Sequence, residues 1–194
     1  MILVGLTGII GSGKTFALGF FKSRRTTIFS ADEEVKKILE KKSIKEKIYK
    51  LFPESFSKKK LNKNILASIV FGDRKKLRKL EKIIHPLVKK KKKTFLNRNR
   101  NKKVIIMEIP IIFERKNKKN YDYIILMDVN KKIQRQRIIK RKNMTPQLFE
   151  NILSNQISNK KRKDADFVIN NNDSKDKTKQ ILNKTLEKIL STRL

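Results

Sequence analysis

The chain has no cysteine, one histidine, four prolines and six glycines among 194 residues. Without cysteine there is no disulfide framework and no thiolate chemistry, which fits a reducing compartment. No internal repeat and no Pro/Gly/Ser-rich linker interrupts the chain, so one compact unit with smaller appendages is expected at this length. No apolar run approaches the roughly 20 residues that span a bilayer. The N-terminus lacks a basic segment followed by a separate apolar stretch and a small-residue cleavage site. These absences predict a soluble cytoplasmic protein without a membrane partner.

Acidic residues are also scarce: 18 Asp+Glu stand against 51 Lys+Arg, a formal net charge of +33. Such a balance suits a nucleic-acid or anionic-membrane binder. It also suits a compositional bias that fills solvent-facing positions with Lys, Asn and Ile, and the pattern favours this second reading. Basic residues are spread along nearly the whole chain, and the densest run, Lys89 to Lys93, lacks the interleaved aromatics that stack on bases. It reads as a solvated helix face, and no specific nucleic-acid partner is expected.

What the chain does have is Gly8-Ile-Ile-Gly-Ser-Gly-Lys-Thr15, a match to G-x-x-x-x-G-K-[ST] in the right context. An apolar strand-like run, Ile2 to Thr7, precedes it, and Phe16-Ala-Leu-Gly-Phe-Phe21 continues it as a buried helix. Strand, glycine loop and helix N-terminus make an anion site, because loop amides and the helix dipole both favour phosphate oxygens. Gly8, Gly11 and Gly13 permit backbone angles that a Cβ blocks. Lys14 reaches the β- and γ-phosphates, the Thr15 hydroxyl can ligate Mg²⁺, Ser12 adds an amide and a hydroxyl, and the Phe16 amide lies in the first helical turn. ATP with Mg²⁺ is the expected co-substrate.

Apolar runs Ile2–Thr7, Thr27–Ser30, Val104–Ile109, Tyr121–Asp128 and Phe167–Ile169 read as strands, with mainly helical patterns between them. That alternation predicts an α/β fold with a mostly parallel sheet covered on both faces. A last helix is expected over Asp176–Leu190. Between the second and third strands, residues 41–99 show only helical patterns, one over Leu61–Phe71 and a long one opened by Asp73. An insertion of that size suits a second substrate. A second interruption, from after Ile133 to about Lys163, carries Arg135, Arg137, Arg141 and Arg162 and has the composition of a mobile basic lid.

Phosphoryl transfer needs the phosphates cradled, their charge neutralised and a group to take the acceptor's proton. Asp32 follows the second strand at the carboxyl edge of the sheet, where open α/β folds bind ligands. There it can act as that base, or Asp32 or Ser30 can cap the following helix. Glu108 ends a buried strand, where it can hold Mg²⁺ through water or bind substrate hydroxyls; Glu114 lies slightly further on. Each can instead be a surface carboxylate, Glu114 more readily than Glu108. His85 is a ligand candidate or a packed structural residue, and Pro86 after it predicts a kink or helix end. Arg137 and Arg141, four apart, are expected to share a helix face and clamp phosphates, or to be ordinary surface charge.

Several separated motifs then line up. They are Gly5-Leu-Thr-Gly8 through Lys14-Thr15, Ala31-Asp32, Leu80-Glu-x-Ile-Ile-His-Pro86 and Glu108-Ile-Pro-Ile-Ile-Phe-Glu114. Gln134-Arg-Gln-Arg137 with Arg141, Gln156 and Ala165-Asp-Phe-Val-Ile-Asn-Asn171 complete the series. In this order, over nearly the whole chain, the sequence resembles the dephospho-coenzyme A kinase family, P-loop kinases of the nucleoside-monophosphate-kinase type. The resemblance implies transfer of the ATP γ-phosphate to the ribose 3′-hydroxyl of dephospho-CoA, the last step of coenzyme A synthesis. It implies one P-loop kinase unit over 1–194, with a nucleotide-binding core (1–40, 100–135, 164–194), a coenzyme A-binding insertion (41–99) and a lid (136–163). It makes Asp32 the base, Arg141 the lid arginine that meets the transferring phosphate, and His85, Glu108, Glu114 and Arg137 parts of the acceptor site. Asn171 falls near the adenine of ATP. The family usually has glycine where Ile9 stands and aspartate where Glu108 stands. The alternatives are another small-molecule P-loop kinase, of nucleotide or shikimate type, and a basic nucleic-acid-binding protein. A monomer or small homo-oligomer is expected.

Overall fold

A computed structural model describes residues 1–24, 26–108, 120–156 and 165–191. Five strands, β1 (Ile2–Thr7), β2 (Thr27–Ser30), β5 (Val104–Glu108), β6 (Tyr123–Asp128) and β7 (Phe167–Asn170), form one sheet in the order β2-β5-β1-β6-β7. Every pairing in it is parallel. Parallel strands need crossovers that return over a face, so both faces end up covered. The strands accordingly read as continuous apolar runs, and β5 is buried at every position.

Alternate residues of β5 enter two different cores. Val104 and Ile106 pack with Ile2, Val4, Leu6 and Ile125 against α1 (Lys14–Ser23) and α8 (Lys175–Ser191), through Ala17, Phe20, Phe21, Leu182, Leu186 and Ile189. Ile105 and Met107 face the other way. They meet α2 (Ala31–Leu39), α3 (Lys42–Leu51), α4 (Lys63–Gly72) and α5 (Arg74–Arg98) through Ile38, Ile48, Leu66, Leu77, Ile84 and Val88. Each such side chain contributes about 1.5–3 kcal/mol by leaving water.

The segment expected to be purely helical contains a small antiparallel hairpin, β3 (Phe56–Ser57) with β4 (Lys60–Leu61). It escapes the sequence signal because Lys58 and Lys59 supply the positive φ of its turn, at 47° and 61°, where Asn-Gly is the usual pair. Asp73 opens α5 as expected, its carboxylate accepting from the Lys75 and Lys76 amides. Pro86 does not end that helix, which runs on to Arg98. The proline removes one N–H, but Ile84 and Val88 on either side are buried in the core, and packing outweighs the lost bond. Lys89, Lys90, Lys91 and Lys93 are exposed as expected, whereas Lys92 turns inward. Its ammonium donates to the Tyr121 hydroxyl at 2.6 Å, and its partial burial pushes its pKa down. Tyr121 itself precedes β6, which begins at Tyr123.

The stretch expected to form a lid holds the end of α6 (Lys131–Ile139) and α7 (Pro146–Asn155), described as far as residue 156. It is less polar than its composition suggests, because Leu148, Phe149 and Ile152 of α7 are buried. Arg162 lies outside the described residues. Among the described residues no helix is long and apolar enough to cross a membrane.

Because β5 is buried on both faces, Ile105→Ala and Ile106→Ala should each destabilise the protein by roughly 2–5 kcal/mol in urea unfolding. A sheet with one wet face would make one of the two nearly neutral.

Candidate active site

The sheet register sets out the site. Ser30 of β2 lies beside Glu108 of β5, and Glu108 beside Leu6 of β1, so three chain segments reach the carboxyl edge together. From that edge β1 passes into the glycine loop and β2 into α2.

The loop runs from Gly8 to the start of α1 in a tight turn, with the Ser12 amide donating to the Ile9 carbonyl. Gly13 has φ +99°, and a Cβ there would stand 2.0 Å from Asn171 Nδ2. Only glycine allows that approach. The Asn171 amide uses the space to donate to the Ser12 carbonyl at 2.8 Å, while its oxygen accepts from the Thr178 hydroxyl at 3.0 Å. Lys14 Nζ donates to the Gly8 carbonyl at 2.7 Å and reaches Ile9 O at 3.4 Å.

A cavity of about 550 Å³ opens over this loop. Gly8, Gly11, Gly13, Lys14, Thr15 and Phe16 line it, as do Asp32, Glu108, Arg137, Arg141 and Asn171, so most of the expected site residues meet in one place. Ser12 does not line it: its hydroxyl is fully buried, without a hydrogen-bond partner among the described residues, and its amide is used in the turn. Arg137 and Arg141 do not share a helix face, because α6 closes at Lys140 and Arg141 lies beyond the cap. Arg137 donates to the Asn171 carbonyl at 3.0 Å, tying α6 to the end of β7. Glu114 lies outside the described residues.

Ser30 is the cap of α2, its hydroxyl accepting from the Glu33 amide at 3.2 Å. The same hydroxyl donates to Glu108. With Ser30 capping, Asp32 sits in the first turn of α2, its carboxylate at the cavity wall, near the positive end of the helix dipole. Glu108 is buried, at 4 % exposure. Burial above all, then the negative charge of Asp32, raises its pKa; the Ser30 hydroxyl and the Lys14 ammonium oppose that rise.

A second cavity, of about 360 Å³, lies on the other side of Asp32. Its walls are largely apolar, with Val35, Leu39, Leu66, Val70 and Leu77, and Lys36, Lys63, Glu81 and His85 add polar groups. His85 is half-buried, which lowers its pKa, and its Nε2 stands 4.0 Å from Glu81 Oε1. Asp32 and Phe71 line both cavities.

Sequence reasoning gave no role to Phe71, Asp173 or Lys175, nor to Gln134 and Gln156, whose amides bond the loop at Ile10. Phe71 carries only the ordinary apolar signal of a helix. The glutamines stand in the motif series, but nothing local marks their target.

Among the described residues no three or more His, Cys, Asp or Glu side chains are grouped to hold a metal. The exposed Thr15 and the two carboxylates on one wall instead fit Mg²⁺ that arrives on phosphates and keeps its waters.

Two cavities meeting at one carboxylate suit transfer between two bound molecules. With a phosphate loop on the central strand of a parallel sheet, they define a P-loop kinase of small molecules. A family model described as dephospho-CoA kinase matches residues 2–177. The dephospho-CoA kinase of Bartonella quintana is 38 % identical over 193 residues, covering 98 % of this chain and 99 % of that one. A crystal structure from Thermus thermophilus aligns with TM-score 0.78 at 27 % identity, covering 98 % and 97 % of the two chains. Dephospho-CoA kinase from Campylobacter jejuni aligns with TM-score 0.63 at 25 % identity, covering 96 % of each. The chain belongs to the dephospho-CoA kinase family.

Glu108 is held at a cost to stability. A raised folded-state pKa favours folding only at low pH, and that benefit is lost as pH rises through the carboxylate range. Glu108→Gln, which can still accept from Ser30, should therefore stabilise the ligand-free protein by about 1 kcal/mol at pH 7. The gap should close as the pH falls below the range in which a free glutamate titrates. Urea unfolding at several pH values measures it.

Proposed function

We propose that the protein transfers the γ-phosphate of ATP to the ribose 3′-hydroxyl of dephospho-CoA, giving coenzyme A and ADP. The observation that carries this reading is Asp32, which faces the phosphate cavity on one side and the apolar cavity on the other. ATP occupies the first, its phosphates on the loop amides and the N-terminus of α1. Dephospho-CoA occupies the second, between α2 and the helices α4 and α5 of the 41–99 region, with His85 at its polar margin.

Lys14 exchanges its loop carbonyls for β- and γ-phosphate oxygens. Asp32 orients the acceptor hydroxyl and takes its proton as the oxygen attacks the γ-phosphorus and the bond to the β-phosphate bridge breaks, releasing ADP. Arg141 and Arg137 come from the lid side and offset charge on the transferring group. Thr15, with Glu108 on the same wall, would hold Mg²⁺, which when bound would offset the charge of the phosphates. Glu108 also keeps Asp32 oriented through their shared wall, and Ser30 steadies Glu108. Asn171 acts on ATP by bracing the loop.

A panel of ATP with dephospho-CoA, AMP, shikimate or a nucleoside decides the acceptor. Dephospho-CoA should give the highest kcat/KM, and faster turnover of any other member sinks the assignment. Asp32→Asn should keep ATP binding within about twofold while lowering kcat by roughly 10²–10⁴, the range for loss of a positioned base. An unchanged kcat would make Asp32 a wall residue only.

A further inference from the structure

Ile10 is held from two sides by side chains far away in sequence. Its N–H donates to Gln156 Oε1 at 2.9 Å, and its carbonyl accepts from Gln134 Nε2 at 2.7 Å. Gln134 projects from α6, and Gln156 is the C-cap of α7. Gln134 is buried, at 3 % exposure, where an amide is costly to leave without a partner. Gln134 thus fixes one peptide of the phosphate loop from inside the core, and the half-buried Gln156 fixes the other from the wall of the phosphate cavity; neither lines the apolar cavity.

The consequence follows from peptide geometry. A trans peptide sets its carbonyl and its N–H on opposite sides. Holding the Ile10 carbonyl against α6 sends the Gly11 N–H away from α6, and Gly11 lines the phosphate cavity. Holding the Ile10 N–H fixes the preceding peptide in the same way, whose Ile9 carbonyl already accepts from the Ser12 amide. A flip of the Ile10–Gly11 peptide would turn a carbonyl toward the cavity and the Gly11 N–H away from it, and a flip of the Ile9–Ile10 peptide would break the turn that the Ser12 amide closes.

We propose that Gln134 and Gln156 are positioning residues for ATP, acting through the two peptides of Ile10 to hold the first half of the phosphate loop in its anion-binding form. The proposal rests on the ATP-dependent transfer argued above. Because Gln134 shares α6 with Arg137, the loop is set by an element that also brings an arginine to it.

Gln134→Met and Gln156→Met keep side-chain length and remove the hydrogen bonds. In steady-state assays of the full chain with ATP and dephospho-CoA, each should raise the KM for ATP by about three- to tenfold, the scale of one hydrogen bond. The kcat should stay within about twofold and the KM for dephospho-CoA should not move. The double variant should raise the KM for ATP by less than the product of the singles, since both act on one residue. An unchanged KM for ATP, a fall in kcat alone, or singles that multiply would each overturn the proposal. Amide hydrogen exchange in the nucleotide-free protein reports on the loop apart from any turnover. The Ile10 amide should lose protection in Gln156→Met and keep it in Gln156→Glu, which retains an acceptor oxygen. Equal protection in the two variants would refute the role of Gln156 even if Gln134→Met fails to fold.

Discussion

A backbone that binds phosphate through its N–H groups has to place its carbonyls elsewhere, because a carbonyl oxygen turned toward the anion repels it. That demand governs the surroundings of the loop. The Gly8 carbonyl accepts from Lys14, Ile9 from the Ser12 amide, Ile10 from Gln134, Ser12 from Asn171 and Gly13 from the Ala17 amide. The partners come from the loop itself, from α1, from α6 and from the turn after β7. Asn171 is held in its own right by the Asp128 carbonyl and the Thr178 hydroxyl. The loop is therefore a product of the whole core, and buried polar partners of this kind are costly to remove.

The acidic side of the site depends on a different coincidence. Parallel pairing brings Ser30 level with Glu108. One hydroxyl then does two jobs, ending a helix-start deficit at Glu33 and anchoring a buried carboxylate. That arrangement leaves Asp32 uncommitted as a cap and points it to the boundary between two cavities. A buried acid beside another acid is unfavourable for folding, and such unfavourable groups gather where chemistry is done.

Local signals made much of this legible in the sequence. The glycine pattern located the loop, the apolar runs located all five sheet strands, and Asp73 located the start of α5. Placement of Asp32 and Glu108 at the sheet edge followed from their positions after strands. What stayed hidden was non-local or atypical. Lys58 and Lys59 turn a hairpin without the usual residues, and Pro86 sits inside a helix that tertiary packing holds together. Arg141 falls past a helix end whose position depends on contacts, and the inward turn of Ser12 depends on what lies beneath the loop. Gln134 and Gln156 meet a peptide more than a hundred positions away, and no spacing rule links them to it.

The strand order carries a consequence for how the chain is made. β1 leaves the ribosome before the other four strands of the sheet yet occupies its middle, and its two neighbours begin only at Val104 and Tyr123. At about 5–20 residues per second, translation leaves this apolar strand with both edges open for roughly 5–20 s. The growing chain must shield it in the interval, either within itself or on a chaperone, and an unshielded edge invites pairing with another nascent copy.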